Sequence, residues 1–117
     1  MAGIDNKEIN ATWKVFRKMV PDLRERYLQN INIKIKELSL AEGETETERF
    51  WNVQRFVKKE KKILEDCLDG HSRSTLIDFM LIMYRYGMLK KEDLSKFSKE
   101  FQDYFLGIIF ALNNRTK

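Results

Sequence analysis

The chain of 117 residues holds one cysteine, one proline, one histidine and five glycines. Each scarcity excludes something. A single cysteine leaves no internal disulfide framework and suits a reducing compartment. So little proline and glycine cannot supply the frequent turns of a β-sandwich or barrel, nor the composition of a disordered tail. The glycines (Gly3, Gly43, Gly70, Gly87, Gly107) stand far apart. Neither a GxxxxGK[ST] nor a GxGxxG phosphate cradle is spelled, which removes most of the case for an ATPase, a kinase or a dehydrogenase. The longest largely apolar stretches, Leu76–Tyr84 (apolar except at Asp78) and Tyr104–Leu112, hold nine residues each, about half of the ~20 that cross a bilayer. The opening MAGIDNKEIN is polar and carries no secretory spelling. The expected location is the cytoplasm, with no membrane partner.

What is present is a chain that is 43% hydrophobic and 34% charged, enough for one core and for a solvated surface. It reads as one domain over residues 1–117. Basic residues outnumber acidic ones 22 to 18, net +4, so steering by overall charge is mild. The sharpest local contrast is the acidic stretch Glu42, Glu44, Glu46, Glu48 ahead of Arg55, Lys58, Lys59, Lys61 and Lys62. Acid before base along one helix is what its macrodipole favours, with or without a ligand.

Apolar residues at spacings of three and four predict helix from about Asp5 to Leu40: Ile9, Trp13, Phe16, Val20, then Leu23, Tyr27, Ile31, Ile35 and Leu38. Pro21 removes a backbone donor and restricts Val20. Two helices, or one sharply bent helix, are therefore expected there. Thr45 with Glu48 is a capping box; the helix it opens carries Phe50, Val53, Phe56, Val57, Ile63, Leu64 and Cys67 along one stripe and ends at Asp69-Gly70. Ser72 and Ser74 are candidate N-caps for the next helix. Leu76–Tyr84 is apolar except at Asp78, which predicts a helix buried on all sides. Gly87 closes it, with Met88 or Leu89 folding back. A last helix is expected from Lys90 or Lys91, with Leu94, Phe97, Phe101, Phe105, Ile108 and Leu112 inward. The fold class is all-α: a single-domain bundle of four to five helices around a fully apolar central helix.

Candidates for chemistry are few. Cys67 and His71 lie four apart, but Gly70 intervenes and two ligands are too few for a tetrahedral zinc site. A Cys–His nucleophile also needs an orienting group and an oxyanion hole. No metal, no cofactor and no catalytic residue is assigned. Asp78 in its apolar run and Glu60 beside an inward stripe could form an acid/base pair if buried; helix-start and boundary positions explain them better, with Arg73 and Arg85 as candidate partners. Gly87 could be the turn of a helix-turn-helix unit. However, the positions that would then be buried hold Asp93 and Lys96, so a general helical hairpin fits better.

Two surface readings remain. The last helix is apolar around its circumference from Tyr104 to Leu112, yet a small bundle has one central place. Burying a Phe or Leu is worth about 1.5–3 kcal/mol, and leaving several wet creates a patch that marks interaction sites. The expectation is a non-enzymatic interaction or regulatory protein. Its association face would comprise Phe101, Tyr104, Phe105, Leu106, Ile109 and Phe110, with Trp13 or Trp51 nearby. The simplest partner is a second copy in a two-fold dimer. The alternative is nucleic acid: Arg55, Lys58, Lys59 and Lys62 share a helical face and could bind phosphates non-specifically.

Overall fold

The computed structural model describes residues 4–115, and every regular element among them is helical. Helix α1 spans Asn6–Ser39, α2 Glu46–Leu68, α3 Leu76–Arg85 and α4 Lys99–Arg115. Short 3-10 turns at Arg73–Thr75 and Lys91–Lys96 link the later helices. The all-α class stands.

Helix α1 starts where the Asp5 side chain accepts the Glu8 N–H at 2.8 Å, satisfying one of the orphan donors of a helix end. It then continues for 34 residues with Pro21 inside it, so of the two arrangements expected there, two separate helices are ruled out. Pro21 and Arg17, four residues earlier, are both exposed. The carbonyl that loses its donor therefore faces solvent, where water substitutes at little cost.

The capping box of α2 forms as spelled. Thr45 Oγ1 accepts the Glu48 N–H at 3.1 Å and Glu48 Oε1 accepts the Thr45 N–H at 2.7 Å. These bonds hold the Glu48 carboxyl below its ordinary range. Gly70 (φ +83°) and Gly87 (φ +78°) adopt the left-handed turns that stop α2 and α3. After Gly87, the Met88 and Leu89 amides both donate to the Met83 carbonyl, at 2.9 and 3.1 Å, and both side chains become buried.

The last helix begins later than its sequence suggests. Asp93 accepts the Lys90 N–H at 2.7 Å, which folds Lys91–Lys96 into a 3-10 turn. Helix α4 starts only after Ser98, whose Oγ accepts the Phe101 N–H at 3.1 Å. The Asp93 carboxylate also takes two bonds from Arg26, at 3.0 and 2.7 Å, while Arg26 Nη2 donates to the Met88 carbonyl at 2.9 Å. One α1 side chain thus fastens the α3–α4 connection.

The core draws on Phe16, Met19 and Leu23 from α1, Ile63 and Cys67 from α2, and Leu76, Met80 and Met83 from α3. Met88, Leu89, Leu94 and Phe97 of the connection and Phe101 and Phe105 of α4 complete it. Helix α3 is not enclosed. Leu76, Met80 and Met83 lie on one face and are buried, whereas Ile77, Leu81, Ile82 and Tyr84 are only half-buried and Asp78 is exposed. Ten residues cover about 15 Å, and one side of that short rod remains at the surface.

Among the described residues, none between 28 and 62 belongs to this core. Helix α1, about 51 Å long at 1.5 Å per residue, outruns α3 and α4. Its second half pairs with the first half of α2 as a two-helix arm. Ile31 is the residue buried inside the arm. At the arm's root the Tyr27 hydroxyl donates to Glu60 Oε1 at 2.6 Å; burial, then this bond, raises the Tyr27 pKa. The molecule measures 57 × 35 × 23 Å with a radius of gyration of 17.5 Å, against about 13–14 Å for a compact chain of this length.

Candidate functional site

Helix α4 divides the expected association face between two environments. Phe101 and Phe105, one turn apart, are fully buried by their own chain. Phe101 rings with Phe97 and Phe105 at 5.2 and 5.8 Å, and Phe105 with Tyr84 at 5.7 Å. These two aromatics belong to the core and leave the association face, a correction to the expected set. Tyr104, Leu106 and Ile109 are half-buried. Phe110, nine positions after Phe101 and so half a turn round the helix, is 67% exposed, and Leu112 is 42% exposed.

Between α3 and α4 lies a groove of about 920 Å³, with Leu81, Ile82 and Tyr84 on one wall and Ile109 and Leu112 on the other. Arg85 and Arg115 also line it, with Asn113, and among the described residues no carboxylate side chain does. The groove follows from two local facts. Helix α3 ends at Arg85, just before Gly87, and the 3-10 turn delays α4 so that its buried residues, Phe101 and Phe105, both fall in its first half. The second half then stands beside α3 with its apolar side uncovered.

A second apolar region lies on the arm. Phe50, Trp51 and Val57 of α2 are 61%, 50% and 41% exposed, joined by Ile33 and Leu40 of α1. Phe50 and Val57 were expected inside, on the stripe that continues to Ile63 and Cys67. That stripe is buried only where α3 reaches it. The signal was available in the lengths: α1 and α2 exceed anything the short later segments can cover. Trp51 packs against Phe50, 5.0 Å between ring centres, and Trp13 against Phe16 at 6.2 Å with Arg17 over its ring.

Arg55, Lys58, Lys59, Lys61 and Lys62 of α2 are all exposed, but not equally available. Lys62 pairs with Asp66 at 3.0 Å, and Arg55 donates to Asn52. Lys58 lines a hollow of about 420 Å³ with Phe50, Val53, Val57 and Lys61.

No known family, characterised protein or solved structure matches this chain.

The side chains weighed for chemistry take structural places. Cys67 is buried, and burial, with Asp66 adding, pushes its thiol up to about 11, the opposite of an activated nucleophile. His71 Nε2–H donates to the Cys67 carbonyl at 2.6 Å, and its ring sits between Phe16 and Phe79. Glu60 is taken by Tyr27, Asp78 is exposed, and Arg73 donates to Asn10 at 2.8 Å. Glu60 and Asp78 therefore form no pair, and neither is bonded to Arg73 or Arg85. Among the described residues no cluster of His, Cys, Asp or Glu could hold a metal ion, and no helix is long and apolar enough to cross a membrane.

Proposed function

We propose that this protein is a non-enzymatic interaction protein that meets its partner, most simply a second copy of itself, through the α3–α4 groove and the exposed end of α4. The observation that carries the reading is Leu112 and Phe110 standing open beside a groove walled by Leu81, Ile82 and Ile109. Covering such residues yields about 1.5–3 kcal/mol for each one fully buried. A concave apolar face with a few charges at its edge fits a helical partner segment.

A photo-activatable cross-linker placed at position 112 tests the reading. Protein adducts are expected there, and none from the exposed control position 78. Equal labelling from both positions would mean that the groove has no preferred partner.

The second reading, phosphate binding by α2, draws on the exposed Arg55, Lys58 and Lys59. It calls for oligonucleotide affinity that falls steeply between 50 and 200 mM salt and is lost when Lys58, Lys59 and Lys62 become Glu. Because Lys62 is already paired with Asp66, the expected slope corresponds to no more than about three released counterions. Affinity insensitive to salt and to these substitutions removes this reading.

A further inference from the structure

We propose that the segment seated in the α3–α4 groove is the tip of the α1–α2 arm, residues 40–51, of a second copy of this chain. The inference rests on the reading of the groove as a protein-binding face and names its occupant. Three observations carry it.

The first is complementary charge. The tip holds Glu42, Glu44, Glu46 and Glu48 against one cation, Arg49. Arg85 and Arg115 line the groove, and among the described residues no carboxylate side chain does. Matched potentials of this kind orient partners and reject wrong ones.

The second is that both surfaces are apolar and wet. Leu40, Phe50 and Trp51 are 65%, 61% and 50% exposed at the tip, facing no core of their own. The tip is also ordered in advance. Arg49 Nε donates to the Ala41 carbonyl at 2.8 Å, Asn52 Nδ2 donates to Glu44 Oε2 at 3.0 Å, and the Thr45–Glu48 box closes the turn. Little ordering entropy remains to be lost on docking.

The third is reach. Helix α1 is unbroken from the core to Ser39, so the tip is held about 18 Å beyond Tyr27 at 1.5 Å per residue. It cannot fold back into the groove of its own chain. Two copies exchanging arms about a two-fold axis make this contact twice, and the assembly closes.

Reciprocal charge reversal tests the proposal. One variant carries Arg85→Glu with Arg115→Glu; the other carries Glu42→Lys with Glu46→Lys. All four positions are exposed, and circular dichroism verifies the fold of both. By sedimentation velocity over a micromolar concentration series, the wild type is expected above the 14.1 kDa of one chain. Each variant alone should lose about tenfold or more in association, because like charges then face each other. An equimolar mixture should recover association, since the reversed groove of one variant meets the reversed tip of the other and the remaining contact is wild-type.

A wild type that stays at 14.1 kDa, variants that associate like the wild type, or a mixture no tighter than its components would each overturn the proposal. Cross-links from position 112 into a different protein would also overturn it, while leaving the groove as a binding face. Cross-links into residues 40–51 support it.

Discussion

Phe105→Ala is expected to destabilise the protein by about 3–5 kcal/mol, and Phe110→Ala by less than about 0.5 kcal/mol. The residues sit five apart on one helix and are the same amino acid. Phe105 is 0% exposed and touches Tyr84 and Phe101, whereas Phe110 is 67% exposed. Truncating the first removes buried area and leaves a cavity at the junction of α3 and α4; truncating the second exposes little that was covered. Against a typical total of about 5–15 kcal/mol, the Phe105 loss is a large fraction, readable as a lowered urea midpoint at unchanged slope. The pair also separates folding from association. Phe110→Ala should weaken partner binding while leaving the midpoint in place. Equal losses of stability from both substitutions would mean that α4 is buried on all sides.

Arg26→Met is the second large effect, expected at about 1–3 kcal/mol. Removing one partner of a buried ion pair costs about 3–5 kcal/mol, and the range is lowered here because the Arg26 side chain is 36% exposed, against 11% for Asp93. The substitution strands the Asp93 carboxylate and frees the Met88 carbonyl. Asp93→Asn should cost less, since its amide oxygen still accepts from Arg26.

The same pair sets an acid limb. The Arg26 hydrogen bonds, aided by the Lys90 amide, hold the Asp93 carboxyl below its ordinary 3.8 despite partial burial. A depressed folded pKa contributes stability above the unfolded value, and that stability is lost as pH falls through the folded one. Stability of the wild type should therefore drop below about pH 4, and Arg26→Met should flatten that drop. Urea midpoints measured from pH 2 to 7 check both. An unchanged acid limb in the variant would show that other carboxylates carry it.

The helices and their stops were legible because they are local. The Thr45–Glu48 box, Asp69-Gly70 and Gly87 each state a terminus within four residues, and the structure places one at each. Pro21 left two arrangements open because the cost of a proline depends on whether its orphaned carbonyl reaches water, which only the surrounding packing decides. The start of α4 was missed for a related reason. Asp93 has a long-range claimant in Arg26, 67 positions away, and no local pattern shows that pairing. Periodicity also overstated the inward set. Leu112 shares the helical spacing of Phe101 and Phe105 yet is 42% exposed, and their separation depends on where α3 lies. The arm was hidden for the converse reason. Its apolar stripe on α2 continues the stripe of the core, and only the mismatch between long and short helices says that Phe50 and Val57 find no cover.

The most direct test of the account is photo-cross-linking from position 112 in the native cell. The account predicts a discrete protein adduct that is absent from position 78 and abolished by Ile109→Glu. No adduct from position 112, or one that persists when Ile109→Glu has disrupted the groove wall, would contradict it.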